Sequence, residues 1–300
     1  MGRPRATLPG IMGAKKIRKA VIPAAGMGTR FLPATKAVPK ELLPIVDTPT
    51  IQYIVAEAVA AGVRDVILVV ARGKDSIVDH FDIAGELEAY LERAGKHELR
   101  KQMRAIAQLA NVVTVRQQEP LGLGHAVLCA KDVVGDEPFV VMLGDDVIDA
   151  KVPGTKQLAD CWEHHGLGTI ALMDVPREET HLYGIASGQA IDERTLRIER
   201  LVEKPRQDPP STLAVIGRYV LPPEIFGILE NVRPGVGGEI QLTDALAVLA
   251  REHGLLGYRF EGDRYDAGDR LGYIKANVAF ALKRPELRAQ LSEWLRGVLR

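Results

Sequence analysis

The sequence predicts an α/β three-layer sandwich built on a mixed, mainly parallel sheet, and three observations predict it. Apolar, mostly β-branched runs, VILVVA at 66–71, NVVTVR at 111–116 and FVVML at 139–143, read as buried strands. Stretches of helical periodicity separate them, so strand and helix alternate along the chain. Gly26, Gln117 and Asp145 each follow closely on such a strand, at the carboxyl ends where open α/β sheets bind ligands.

In chain order, residues 1–18 hold glycines, prolines and basic side chains without an apolar segment, and are expected to form a flexible basic extension before one domain at 19–284. Residues 20–25 form a strand that ends at the loop Gly26-Met27-Gly28-Thr29-Arg30. Thr48-Pro49-Thr50 offers an N-cap and a first-turn proline for a helix whose Ile51, Ile54, Val55, Ala58 and Val59 share one face. Strand 66–71 completes a right-handed βαβ unit. Residues 76–109 are expected as two or three helices broken near Gly85 and Gly95. Strand 111–116, a helix at 122–134 and strand 139–143 follow. After helix 155–165 and strand 168–175, residues 183–219 alternate like strands. Helices are expected at 222–229, 241–251 and 270–282, with a strand at 255–260. An amphipathic helix over 285–300 is expected to pack on the domain or on a second subunit.

Lysine plus arginine equals aspartate plus glutamate, at 39 each, so no net field recruits nucleic acid or an anionic membrane. No run approaches the roughly 18 apolar residues of a spanning helix. The two cysteines, Cys129 and Cys161, lie in helix-like apolar patterns and are expected as buried thiols in a reducing cytoplasm. His125, His164, His165 and His181 show no metal-ligand spacing and are assigned to packing or surface roles.

The loop after the first strand carries the chemistry. Gly26 and Gly28 let backbone N–H groups approach an anion, and Arg30, Lys36 and Lys40 follow amid Pro33, Pro39 and Pro44, which together suggest a polyphosphate site. A solvated surface turn is the bland alternative. A dinucleotide fingerprint is excluded by Phe31, and a P-loop by the absence of Gly-Lys-Ser/Thr. Asp145 and Asp146, in the pattern apolar-Gly-Asp-Asp at a strand end, read either as ligands for a hard divalent cation or as a turn. Glu203-Lys204 reads as a solvated pair unless its context says otherwise.

AAGMGTRFLPATKAVPKELLPIVDTP resembles the signature of the sugar-1-phosphate nucleotidylyltransferases, and RQQEPLGLGHAV, MLGDD, YGI, VEKP, GGEIQLTDAL and YDAGDRLGYIKAN continue the likeness in order from Lys19 to about Ala281. The resemblance implies a Rossmann-like fold of the nucleotide-diphospho-sugar transferase type. The helical insert at 76–109 favours the branch that uses UTP and glucose 1-phosphate with Mg²⁺, releasing UDP-glucose and pyrophosphate. It implies nucleotide contacts from Ala24, Ala25, Gly26, Gly28 and Thr29, with Gln117 and Gly122 meeting the base. Arg30 and Lys40 would hold phosphates and Lys204 the sugar phosphate. Gly184, Glu203 and, as a secondary candidate, Glu239 would meet the sugar, while Asp145 and Asp266 would hold the metal. Members that resemble this chain assemble as homodimers or homotetramers. A thymidylyltransferase using the same machinery, or a silent nucleotide-sugar-binding homologue, are the competing readings.

Overall fold

The computed structural model describes residues 15–235 and 238–298. Its strands are β1 (Lys19–Pro23), β2 (Pro44–Ile45), β3 (Thr48–Pro49), β4 (Asp65–Val70), β5 (Asn111–Arg116), β6 (Phe139–Met142) and β7 (Asp146–Asp149). The later ones are β8 (Gly168–Asp174), β9 (Gly184–Ala190), β10 (Thr195–Glu203), β11 (Leu213–Leu221), β12 (Leu255–Arg259) and β13 (Asp263–Asp266). One sheet runs in the order β5-β4-β1-β6-β11-β8-β12-β10-β9. β1 pairs in parallel with β4 and β6, β4 with β5, and β12 with β8. Only β10 and β11 oppose the other strands of this sheet. The sheet is mixed and mainly parallel, as the alternation of elements predicts.

Period-two alternation divides the core between the two faces. Val21, Ile67, Val69, Phe139 and Val141 join Phe226, Leu246 and Leu249 on one side. Ala20, Ile22, Leu68, Val140 and Met142 join Ile51, Ile54, Leu158 and Trp162 on the other. Helices thus cover both faces, and each large apolar side chain buried there contributes about 1.5–3 kcal/mol relative to its exposed state.

Several local expectations are corrected. Thr48 and Pro49 do not open the helix: they form β3 against β2, and the helix Thr50–Ala60 starts one residue later with no side-chain cap. The Thr50 amide and hydroxyl instead donate to Leu43 O at 3.1 and 2.7 Å, which satisfies a helix-start donor that a Thr48 cap would have served. The helix expected at 122–134 divides into Leu123–Leu128 and Lys131–Val134, and Cys129, at the end of the first piece, is only half-buried. Cys161 is buried, and burial pushes its thiol up to about 11. The insert resolves into the helices Asp75–Asp79, Gly85–Arg93 and His97–Ala107.

Residues 1–14 of the expected extension lie outside the described residues. Residues 15–18 are docked: Ile17 is buried, Lys15 Nζ donates to Asp136 O (3.2 Å), and the Trp162 indole donates to Lys15 O (3.2 Å). The last helix, Pro285–Val298, packs on the helix Arg270–Lys283. Among the described residues no helix is long and apolar enough to cross a membrane.

A buried charge network braces the strand ends. Arg218 of β11 is fully buried; its Nη2 donates to Glu57 Oε2 (2.6 Å) and Asp146 O (2.7 Å), and its Nε to Glu57 Oε1 (3.1 Å). Glu57 Oε1 also accepts from the amide and hydroxyl of Thr155, at 2.9 and 2.7 Å. Burial pushes the Glu57 carboxyl up, but Arg218 and Thr155 more than offset this and hold it below its usual range. Glu57→Gln strips the buried guanidinium of its counter-charge and is expected to cost about 3–5 kcal/mol of stability at pH 7. The wild type holds this contribution above the unfolded carboxyl value of about 4.3 and loses it as pH falls through the lower folded value, so the two proteins should converge in acid. Denaturant titrations at neutral and acid pH check this; a neutral-pH difference under about 1 kcal/mol contradicts it.

Candidate active site

The glycine loop leaves β1 at the centre of the sheet. Ala24 continues the strand, its amide donating to Val69 O (2.8 Å), and is buried behind the site. Gly28 takes the left-handed conformation (φ 65°), which allows the sharp entry into the turn Thr29–Phe31. Thr35 Oγ1 donates to Gly28 O (2.7 Å), Arg270 Nε donates to Arg30 O (2.9 Å), and Phe31 packs edge-on against Tyr273. These contacts fix the loop's outer rim on the helix Arg270–Lys283. A cavity of about 470 Å³ opens beside it, lined by Ala25, Gly26, Gly28, Thr29, Arg30, Lys40, Gln117, Gly122, Asp145 and Glu239. Ten predicted residues therefore share one space. A cavity of about 760 Å³ between the helices Glu224–Leu229 and Leu242–Glu252 holds none of them, so chemistry and not size singles out the site.

Asp145 and Asp266 meet although 121 residues separate them in the chain. The ribbon of β7 and β13 pairs Asp266 with Asp146, and the Ala267 amide donates to Asp145 O (2.8 Å). Gly268 packs so closely that a methyl there would collide with Asp145 Oδ2 and stand 3.1 Å from Asp266 Oδ1. Lys40 Nζ donates to Asp145 Oδ2. Burial opposes the Lys40 charge, and Asp145 more than compensates, so the ammonium is held above its ordinary value. Burial likewise opposes the Asp145 charge, which Lys40 restores, leaving that carboxyl below its usual range. Asp266 differs: burial pushes it up, Arg264 resists, and Asp145 and Asp146 add repulsion. Asp146 turns away from the cavity and is bound by Arg264 Nε (2.6 Å) and the Gly217 amide (2.8 Å).

Gln117, at the end of β5, is buried, and its Nε2 donates to Gly122 O (3.1 Å) and lies 3.0 Å from His125 Nδ1. Glu239 reaches this cavity, rather than standing at the sugar strands alone, because its neighbour Ile240 pairs with Leu121 O and the Gly124 amide, each at 2.8 Å. On the far side, β9 and β10 place Gly184 opposite Glu203, whose Oε2 accepts from Thr243 Oγ1 (2.6 Å). Lys204 does not line the loop cavity. It has φ 44°, its amide donates to Tyr183 O (3.0 Å), and its ammonium stands 3.4 Å from Glu203 Oε1. Arg264 links the two regions, reaching Asp266 Oδ2 (3.4 Å) and Tyr183 Oη (3.3 Å).

Sequence reading missed Arg264, Tyr183, Thr243 and the Glu41–Lys74 pair. Lys74 Nζ donates to Glu41 Oε1 and Oε2 at 3.1 and 2.9 Å, a buried pair beside Lys40. Burial pushes Glu41 up and Lys74 down against their mutual attraction. The one available signal is PKELLPI itself, where a glutamate follows the site lysine in an otherwise apolar segment.

A glycine loop, cations and paired carboxylates at the carboxyl edge of such a sheet equip an enzyme that handles nucleotides. The chain belongs to the nucleotidyl transferase family, whose model matches residues 19–282. It is 52% identical over 286 residues to a UTP–glucose-1-phosphate uridylyltransferase of Bacillus subtilis (strain 168), spanning 95% of this chain and 98% of that one. A Staphylococcus epidermidis protein of the same name is 49% identical over 283 residues, with 94% and 98% covered. Among solved structures, a UDP-glucose pyrophosphorylase complexed with UDP-glucose is 42% identical with a TM-score of 0.83, covering 89% of this chain and 100% of that one. A UTP-bound UGPase from Acinetobacter baumannii is 40% identical with a TM-score of 0.85, covering 93% and 98%.

Gly268→Ala pushes a methyl into the Asp145 carboxylate. It is expected to cost about a hundredfold in nucleotidyl transfer, the penalty typical of a misplaced catalytic group. Initial rates of pyrophosphate release, beside a thermal melt showing an intact fold, check this; a rate within about threefold of wild type would contradict the tight carboxylate packing.

Proposed function

We propose that the protein transfers the uridylyl group of UTP to glucose 1-phosphate, forming UDP-glucose and pyrophosphate. The single observation that supports this best is the convergence of Arg30, Lys40 and Gln117 with Asp145 around one cavity at the strand ends. A phosphate oxygen of glucose 1-phosphate attacks the α-phosphorus of UTP. The bond from that phosphorus to the bridging oxygen breaks, and pyrophosphate leaves with the electron pair. The nucleophile is already anionic at neutral pH, so the site needs no general base, and catalysis falls to positioning and charge neutralisation.

Backbone amides of Gly26 to Thr29 cradle the triphosphate and Arg30 faces the departing pyrophosphate. Lys40, kept protonated by Asp145, bridges the phosphates of the two reactants. Lys204 holds the sugar phosphate, while Glu203 and the Gly184 backbone receive the glucose hydroxyls. Thr243 orients Glu203 by its hydrogen bond. Gln117 faces the base across Gly122.

The donor set fits a hard divalent cation. Asp145 and Asp266 offer oxygen atoms beside Gly268, and Asp266 is a carboxyl raised by burial and by its acidic neighbours. Among the described residues no larger cluster of His, Cys, Asp or Glu is poised to hold a metal, and Mg²⁺ needs only one or two carboxylates beside phosphate oxygens and water. Bound there, Mg²⁺ would neutralise phosphate charge. We place the activity in the cytoplasm, with UTP at hand. The exposed Leu271, Ile274 and Trp294 support a homodimer or homotetramer.

Mg²⁺-dependent pyrophosphate release from UTP and glucose 1-phosphate tests the reading, and its absence rejects it. Uracil and thymine differ by one methyl, worth only about 1–3 kcal/mol in a pocket, so slower turnover of dTTP is expected; a UTP preference beyond about a thousandfold argues against this base site. Lys204→Ala is expected to raise the KM for glucose 1-phosphate and cut turnover by about a hundredfold or more, as for loss of one electrostatic stabiliser. Steady-state kinetics with each substrate varied check this, and an effect confined to the KM for UTP contradicts the role.

A further inference from the structure

Behind Gln117 stands His125, in the helix Leu123–Leu128. The Gln117 amide nitrogen approaches both Gly122 O (3.1 Å) and His125 Nδ1 (3.0 Å). A backbone carbonyl only accepts, so Gln117 must turn its nitrogen and not its oxygen towards Gly122. That nitrogen carries two hydrogens and no accepting lone pair, so the second hydrogen meets His125 Nδ1. His125 Nδ1 is therefore the unprotonated, accepting nitrogen, and a neutral imidazole carries its proton on Nε2. Cys129 Sγ, 3.9 Å from both ring nitrogens, is too weak a partner to compete. With both amide hydrogens engaged inside the protein, Oε1 is the polar atom that Gln117 offers to the cavity.

Resting on the reading of Gln117 as the base-facing residue, we infer that His125 is a positioning residue that sets base selectivity. By accepting from the Gln117 amide, His125 makes that side chain an acceptor-only probe. Such a probe matches a base whose ring nitrogen carries a hydrogen, as N3 of uracil does. It repels cytosine, whose N3 is itself an acceptor. Gly122 O alone would hold the amide by a single hydrogen, and the bond to His125 adds the second point that fixes the plane in which Oε1 faces the cavity.

The test exploits side-chain shape, because asparagine can set an oxygen where His125 Nδ1 stands and leucine sets a methyl. The KM for UTP, kcat, and the inhibition constant of CTP against UTP are measured for the wild type, His125→Leu, His125→Asn and Gln117→Leu, with thermal melts confirming folding. His125→Leu should raise the KM for UTP with little change in kcat and reduce the preference for UTP over CTP by roughly tenfold, as for one freed buried donor. His125→Asn should retain the preference, and Gln117→Leu should abolish it. If Gln117→Leu abolishes the preference while His125→Leu keeps it, or while His125→Asn loses as much as His125→Leu, the positioning role is overturned and Gln117 stands as the reader. An undiminished preference in Gln117→Leu overturns the base-reading assignment and the inference with it.

Discussion

Charge compensation at the carboxyl edge of the sheet is the constraint on which this structure depends. The side chains of Asp146, Glu41 and Glu57 are buried and that of Asp145 partly so, and each has a cation within hydrogen-bond reach: Arg264, Lys74, Arg218 and Lys40 respectively. A buried carboxylate without such a partner would neutralise itself or unfold its surroundings. Asp266 is the least satisfied of the group, with Arg264 at 3.4 Å and two aspartates beside it. The balance is therefore loosest at Asp266, which accepts from the amide of Gly268 on the cavity wall (3.0 Å).

The fold supplies two halves and a clasp. The parallel strands β5, β4, β1 and β6 end together and deliver Gln117, the glycine loop and Asp145 to one rim. Beyond β11, the antiparallel register of β9 and β10 sets Gly184 against Glu203. Neither half alone carries both the loop cavity and the Gly184–Glu203 pair. The short β7–β13 ribbon joins them, and Arg264 spans from Asp146 and Asp266 to Tyr183, so the aspartate cluster and the approach to β9 share one guanidinium. β11 contributes through an irregularity in its register between Val215 and Tyr219, which lets the Gly217 amide reach Asp146.

Much of this was legible in the sequence. The strands VILVVA and NVVTVR, the three-helix insert and the loop cations were readable because periodicity and glycine chemistry are local properties. The β7–β13 ribbon was not. Its segments DVID and DRYD are four residues long and mostly polar, and neither shows a strand pattern until the other lies beside it. Glu203 and Lys204 were identified by motif, yet the hydrogen bond from Thr243 that orients Glu203 comes from a helix forty residues away. His125 read as a packing or surface residue because nothing in the chain shows that its ring faces the Gln117 amide.

By itself the sequence determined the class of fold and the order of its elements, and it singled out the glycine loop, the cations and the carboxylates as candidates, since burial pattern and residue type are written locally. Tertiary structure alone decided which of those side chains meet. It joined Asp145 to Asp266 and Lys40, turned Asp146 aside to brace Arg264, and docked Glu239 beside Gly122. Such contacts depend on strand register and on the pairing of buried charges between distant segments, and no window of the chain encodes either.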